Sequence, residues 1–375
     1  MLLPGSTIGM LGGGQLGRMF TIAARTLGYQ VIVLEPDPLS PAGQLADQHL
    51  LAAYDDQTAL ESLGEQCDVI TTEFENIPSA TLERLAPHCP VHPSAAAVKV
   101  AQDRIVEKKF IQRCDLKPVP FTAISNITDI ATAAHSIRFP AILKTARLGY
   151  DGKGQITVDS VTAAEQAFQQ LNQVECVLEQ RIELACEVSV ILARNTRGES
   201  QCFPVAENIH RNGILHQTIA PARISDELSD NAKAATKRIA DRLDFVGVMA
   251  VEYFVTKQGK LLVNEIAPRT HNSGHYTLDA CVTSQFEQQV RMVCDLPFGD
   301  MQQHTPVVMT NLLGDVWGQC QPNWAKLLND PYSKLHLYGK QEARPGRKMG
   351  HFCTLDNDIE NAIRKANNLF AELQG

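Results

Sequence analysis

The chain has 375 residues, 44% of them apolar and 20% charged. That length and composition exclude a disordered or collagen-like chain and allow two or three domains of about 150 residues each. Asp and Glu outnumber Lys and Arg, 42 to 34, for a net charge of -8, which excludes a general nucleic-acid binder that relies on net basic surface.

In chain order, Thr7 to Leu11 reads as a short apolar strand, Gly12, Gly13 and Gly14 as a turn, and Leu16, Met19, Phe20, Ala23 and Leu27 as one face of a helix that Gly28 closes. Val31 to Leu34 is a second strand, so the unit predicts a parallel sheet. Gly12, Gly14 and Gly17 fit G-x-G-x-x-G, with Glu35 about twenty residues on. Three readings stand: a nicotinamide cofactor, a small phosphorylated ligand, or plain helix packing. A third strand over Cys67 to Thr72 runs into Glu73, Phe74, Glu75 and Asn76. That is the carboxyl edge of a parallel sheet, where ligands bind, although both carboxylates also suit a solvated loop.

Ser94 predicts a helix cap, with the helix reaching about Cys114 and carrying Arg104. Strands follow near Val119 to Ala123 and Ala141 to Thr145, the second ending in Lys144. Gly149, Tyr150, Asp151, Gly152, Lys153, Gly154 and Gln155 then precede another strand, Ile156 to Val158. This is a glycine-rich hairpin tip, not a Walker A loop, which would open a helix. It is either an ordinary mobile hairpin or a backbone cradle for polyphosphate, with Lys144 and Lys153 adding charge. Val177 to Ile182 reads as a strand entering a hinge, and Glu187 begins the next strand. Two further strands flank Gln258 and Gly259. If those two residues form the hairpin tip, Glu252 faces Glu265 on one side of the ladder. Like charges placed so destabilise a hairpin unless divalent cations sit between them, and Asn264 is beside the pair. Arg269 and the polar loop His271, Asn272, Ser273, Gly274, His275 follow. The C-terminal part reads as strands near Val307 to Leu312, Leu335 to Tyr338 and His351 to Leu355, then a helix with Ile359, Ala362, Ile363, Ala366, Leu369, Phe370 and Leu373 on one face. Lys340, Arg344, Arg347 and Lys348 form a basic edge, solvated or anion-binding.

No apolar run approaches the ~20 residues of a membrane span, and residues 1–17 lack the basic head and apolar stretch of a signal peptide. Ten cysteines occur without a C-x-x-C pair. Buried free thiols in a reducing cytoplasm are expected, and structural zinc is not.

The stretches at 12–17, 73–76 and 149–155, with Glu252, Asn264, Glu265, the loop at 268–275 and the C-terminal Tyr338, Gly339, Lys340 to Arg347, Lys348, Met349, Gly350, His351, together resemble the ATP-grasp superfamily. Within it they resemble the N5-carboxyaminoimidazole ribonucleotide synthetase family, over nearly the whole chain and in that family's order. Thr270 stands where related motifs often carry Pro or Val.

The resemblance implies an α/β and α+β protein of three domains: a Rossmann-like ribonucleotide-binding domain at 1–100, an ATP-grasp domain at 101–295 with its lid at about 120–182, and a small mixed domain at 296–375 that completes the substrate site. It implies a cytoplasmic homodimer and an ADP-producing, C–N bond-forming carboxylase of purine synthesis. Its substrates would be ATP, bicarbonate and 5-aminoimidazole ribonucleotide, with Mg²⁺ (Mn²⁺ as a substitute) and neither nucleic acid nor membrane as partner.

It assigns Arg104, Lys144, Gly149 to Gln155, Glu179, Gln180, Arg181, Ile182, Glu187, His210, Asn264 and Glu265 to ATP, and Glu252 and Glu265 to the metal. It assigns Gly14, Gln15, Leu16, Glu75, Asn76, Asn272, Ser273, Lys340 and Arg347 to the ribonucleotide, and Tyr150, Asp151, Arg269 and His275 to the chemistry. Three alternatives share parts of this pattern: a formate-dependent glycinamide ribonucleotide transformylase, a biotin carboxylase subunit, and a nicotinamide-dependent oxidoreductase built on the first glycine turn. A non-catalytic nucleotide sensor would bind ATP without turnover.

Overall fold

The computed structural model describes residues 1–149, 154–318 and 321–374. The N-terminal strands β1 (Thr7–Leu11), β2 (Gln30–Leu34), β3 (Gln48–Leu50), β4 (Val69–Thr72) and β5 (Val91–His92) form a parallel sheet in the order β3-β2-β1-β4-β5. Helix α1 (Gln15–Thr26) covers one face, and α2 (Gln57–Gln66) and α3 (Ser79–Leu85) cover the other. The order reverses between β1 and β4. The crevice beyond their carboxyl ends therefore lies between the glycine turn and residues 73–76.

The long helix expected after Ser94 is two helices, α4 (Ala95–Ala101) and α5 (Arg104–Arg113). Asp103 restarts the chain as an N-cap, accepting from the Ile105 and Val106 amides at 3.0 and 3.1 Å. Gln102 is turned outward to bond the Glu75 and Ile77 carbonyls, both at 2.7 Å.

Next, β6 (Phe121–Ile124), α6 (Thr128–Ala133), β7 (Ala141–Thr145), β8 (Gln155–Val158), α7 (Val161–Gln170) and β9 (Cys176–Gln180) make a small α+β layer with its own core. Its antiparallel sheet has the order β6-β9-β7-β8. The β7–β8 connection carries the second glycine loop.

The remaining strands are β10 (Leu184–Arg194), β11 (Ser200–Cys202), β12 (Ala206–Arg211), β13 (Ile214–Ala220), β14 (Gly247–Thr256), β15 (Leu261–Ala267), β16 (Val307–Leu313), β17 (Ser333–Leu337) and β18 (Lys348–Leu355). They form one antiparallel sheet in the order β15-β14-β10-β12-β13-β16-β18-β17, with β11 paired to β10. The C-terminal strands thus join the same sheet as the paired carboxylates, through β13 and β16.

Helix α8 (Asp226–Arg242) packs on one face of this sheet. After the short α9 (Thr277–Ala280), α10 (Gln285–Val293) sends Phe286, Val290 and Val293 into the core of the N-terminal sheet. The short α11 (Trp324–Leu328) and the final helix α12 (Ile359–Gln374) cover the C-terminal strands, with Ala362, Ala366 and Leu373 inward as the periodicity predicts. Nine described cysteines are unpaired, most of them buried. Among the described residues no helix is long and apolar enough to cross a membrane.

Candidate active site

Glu252 on β14 faces Glu265 on β15. The turn joining them is not the expected two-residue tip. The Thr256 amide bonds the Lys260 carbonyl at 2.9 Å, so Lys257, Gln258 and Gly259 form the loop, with Gly259 at φ +74. Near the turn Tyr253 pairs with Val263. A bulge then adds Asn264 to β15, and beyond it Glu252 pairs with Glu265. The longer loop and the bulge offset one another.

Both carboxylates project on the side of the sheet that carries Ser189, which faces Glu252 across β10. Asn264 Nδ2 donates to Glu252 Oε2 at 3.4 Å. His271 Nε2 lies 3.5 Å from Glu252 Oε1. Ser189 donates its hydroxyl to Ser273 Oγ at 2.7 Å, and Ser273 Oγ lies 2.8 Å from His271 Nδ1, which also receives the Ser273 amide at 3.3 Å. With Nδ1 as acceptor, the His271 proton sits on Nε2, toward Glu252. Burial and the Arg269 charge keep this imidazole neutral, well below its usual range. Burial and the charge of Glu265 raise Glu252, and His210 and Asn264 oppose that rise. Two facing carboxylates that repel each other, Glu252 buried and Glu265 partly open to solvent, fit a hard divalent cation whose shell is completed by phosphate oxygens and water. Among the described residues no three acidic, His or Cys side chains converge as a metal site complete in itself.

Along the same sheet, Glu187 Oε2 and His210 Nδ1 are 3.0 Å apart. Burial lowers His210, but its bond to Glu187 outweighs this and the net shift is upward. Arg104 reaches Glu265 Oε2 at 3.4 Å and the Gly149 carbonyl at 3.2 Å. Lys144 Nζ is 2.8 Å from Glu179 Oε2, and Lys108 Nζ is 2.9 Å from Glu179 Oε1. Lys108 and Glu179 are only 1% and 2% exposed. Burial raises Glu179, yet the two ammonium groups hold it down at about 2. The Glu179 side chain is therefore committed between two lysines, which leaves main-chain groups of the hinge for a base. The Gln180 amide bonds the Pro120 carbonyl at 2.9 Å and the Arg181 amide the Pro140 carbonyl at 3.3 Å, and Ile182 follows β9 directly.

At the crevice of the N-terminal sheet, the glycine-turn amides are already occupied. Glu73 is buried and accepts from the Gly14 amide and, at 2.7 Å, from the Gly17 amide. Glu35 accepts from Gly13 at 2.8 Å and from the Tyr54 hydroxyl at 2.6 Å. A pyrophosphate at this helix start would meet two internal carboxylates, and the acidic residue meant for a ribose is spent on the turn. The nicotinamide reading of the first glycine motif is overturned. Glu75 forms a two-pronged ion pair with Arg269, one prong at 3.1 Å. Burial would raise Glu75, but Arg269 brings it to about 2. Asn76 beside it is half-buried. Lys340 Nζ donates to Gln15 Oε1 at 2.7 Å and to the Lys348 carbonyl at 2.8 Å, joining the glycine turn to the C-terminal basic loop. Arg347 Nη1 holds the Glu342 carbonyl at 3.1 Å in that loop.

Family models match in the same order as these parts. A ribonucleotide synthetase preATP-grasp domain matches residues 5–102, an ATP-grasp domain residues 109–286, and a phosphoribosylaminoimidazole carboxylase C-terminal domain residues 307–365. The N5-carboxyaminoimidazole ribonucleotide synthase of Bacillus subtilis is 42% identical over 375 residues, covering 100% of this chain and 98% of its own length. The chain belongs to the N5-carboxyaminoimidazole ribonucleotide synthase family. A solved synthetase of this family in complex with ADP aligns with TM-score 0.93 at 44% identity, over 100% of this chain and 99% of that one. The Aspergillus clavatus synthase of the family, solved with ADP and 5-aminoimidazole ribonucleotide, aligns with TM-score 0.91 at 29% identity over 98% of each chain.

Several residues expected at the site have side chains turned away from open space. Asn272 and Asn311 exchange amide hydrogen bonds at 3.0 and 2.8 Å, and Ser273 is fully buried beneath His271, so neither side chain points to open space. The Leu16 side chain belongs to the N-terminal core, which leaves only its main chain for a ligand. His275 is fully buried against Phe286, Tyr338 and His351, with Nδ1 3.2 Å from the Gln285 amide. Burial drives its pKa far down, as in a structural core histidine rather than a proton carrier. Tyr150, Asp151, Gly152 and Lys153 lie outside the described residues. Gly154 has φ +70, and its carbonyl accepts from Thr145 at 2.8 Å, while Gln155 pairs with Lys144.

The sequence reading missed His271, which lies beside Glu252, and Glu107 and Lys108, which contact the backbone of the strand that carries Glu265. A signal existed for the last two: Arg104, Glu107, Lys108 and Ile111 fall on one helix face, with charges where core residues belong.

Proposed function

We propose that this chain carboxylates 5-aminoimidazole ribonucleotide to N5-carboxyaminoimidazole ribonucleotide with ATP and bicarbonate, giving ADP and phosphate, as a ligase of purine biosynthesis. The observation that carries this reading is the Glu252–Glu265 pair on a sheet that also brings the Lys340 loop to the Gln15 turn. In this reading the ATP-phosphate site and the ribonucleotide-phosphate site draw on strands of one sheet. The match over residues 307–365 favours the carboxylating enzyme over the formate-dependent transformylase.

In this reading Glu252 and Glu265, with Asn264 beside them, hold Mg²⁺, or Mn²⁺ in its place. When bound, the cation neutralises charge on the transferring phosphoryl group. Arg104, anchored on Glu265 and Gly149, faces the same phosphates. A bicarbonate oxygen attacks the γ-phosphorus, the bond to the β-phosphate oxygen breaks, and carboxyphosphate and ADP form.

The exocyclic amine then takes the carboxyl carbon, phosphate leaves, and the amine loses a proton to give the carbamate. Arg269, fixed by Glu75, presents its charge where carboxyphosphate forms. Asp151 is the proposed proton acceptor and Tyr150 its neighbour in the substrate pocket. Lys340 and Arg347 take the ribonucleotide phosphate, with the Gly14, Gln15 and Leu16 main chain as its floor. Residues 149–155 are proposed as the lid that shields carboxyphosphate from water.

The unpaired cysteines support a reducing, cytoplasmic setting. The family resemblance supports a homodimer and the division into domains at about residues 100 and 295. Phosphate release from ATP, measured with and without bicarbonate and the ribonucleotide, tests the function. Strong stimulation that needs both is expected. Turnover indifferent to the ribonucleotide would discard this substrate.

A further inference from the structure

A bulge leaves strand backbone without partners in the ladder, and buried backbone groups must find others. β15 is the edge of its sheet. On its outer side the Val263 amide and carbonyl bond Lys117 and Val119 at 2.8 and 3.1 Å. Beyond Val263 that segment ends and α5 takes over. Glu107 accepts from the Ile266 amide at 2.6 Å, Lys108 Nζ reaches the Asn264 carbonyl at 3.5 Å, and Arg104 reaches the Glu265 carboxylate at 3.4 Å. Three side chains on one helix face thus meet three successive residues of the bulge. A slip of one residue in β15 would send Glu265 to the opposite face, into the apolar cluster of Val251 and Tyr253. Glu107 and Lys108 are both buried; Lys108 also pairs with Glu179 at 2.9 Å, whereas the Glu107 carboxylate takes its hydrogen bond from the Ile266 amide.

We propose that Glu107 and Lys108 are positioning residues that lock the Asn264 bulge in the register that sets Glu265 opposite Glu252. This rests on reading those two carboxylates as the cation ligands.

The test is Mn²⁺ binding to the full chain in the presence of ADP, followed by the electron paramagnetic resonance signal of free Mn²⁺. Glu107→Met removes the acceptor, and Glu107→Gln keeps one. The Met variant is expected to weaken Mn²⁺ binding about tenfold or more, as loss of outer-shell support does, and the Gln variant to restore most of it. Binding of the ribonucleotide without metal should stay within about twofold in both, which a general loosening of the fold would not allow. Wild-type Mn²⁺ affinity in Glu107→Met overturns the proposal. Glu265→Gln separates the two layers of the argument. If it too binds Mn²⁺ normally, the ligand reading has failed. If it loses Mn²⁺ while Glu107→Met does not, only the positioning role has failed. Should Glu107→Met not fold, amide exchange in the metal-free wild-type protein decides. The Ile266 amide should be among the slowest in β15, and rapid exchange there overturns the proposal.

Discussion

Glu73→Gln separates a buried internal cap from a ligand-facing carboxylate. Both Glu73 oxygens face amide donors, Gly14 on one and Gly17 on the other at 2.7 Å. A glutamine has one acceptor oxygen, so its NH₂ must face the second amide in a site closed to water. A buried donor left without a partner costs about 1–3 kcal/mol, and because burial raises the Glu73 pKa, loss of its charge adds nothing to that cost. The space cannot relax to admit a rotated amide, because a Cβ placed on Gly14 or Gly12 would already lie 2.7 or 2.4 Å from Glu73. The expected loss is about 1–3 kcal/mol, centred on α1 and the β1 turn. Calorimetry of the ligand-free protein should show the midpoint lowered by several degrees. Hydrogen exchange should show the first turn of α1 opening before the large antiparallel sheet. An unfolding midpoint within about a degree of wild type, with α1 protection intact, would refute the claim that both oxygens act as acceptors.

Glu265→Ala should nearly abolish ATP turnover while leaving the far-ultraviolet circular dichroism spectrum unchanged, and wild-type-like turnover would discard the metal assignment. Lys340→Ala removes the bridge to Gln15 and should raise the KM for the ribonucleotide at least tenfold with little change for ATP. Equal effects on both substrates would argue against phosphate capture there. Acid stability should report the Lys108–Glu179–Lys144 cluster. Its carboxyl stands at about 2 in the folded chain against 4.5 for an ordinary glutamate. That difference stabilises the fold by about 3 kcal/mol above pH 4.5, and the contribution fades as pH falls toward 2. Glu179→Gln should therefore unfold more easily at pH 7, with a smaller penalty at pH 2.5. A penalty independent of pH would show that packing, not charge, dominates.

The parts legible in the sequence were those set by local periodicity. β1 and β7 follow from short apolar runs and α12 from helical apolar spacing, and the parallel order of the first sheet follows from the β-turn-α-β unit. What sequence could not supply were choices made by distant partners. Glu73 and Glu75 carry no local sign that one would cap α1 from 56 residues away and the other would clasp Arg269, 194 residues on. The break between α4 and α5 depends on Gln102 being drawn to the loop after β4. The facing pair Glu252 and Glu265 is the instructive case. A two-residue turn and a regular ladder lead to it, and the protein reaches it through a three-residue loop and a bulge. Each departure shifts the register by one residue, in opposite directions. A strand that needs a bulge to bring a carboxylate opposite its partner holds that register against the simpler ladder only if something outside the ladder favours it. The charged inner face of α5, which breaks the rule that core positions are apolar, meets the backbone where that help is required.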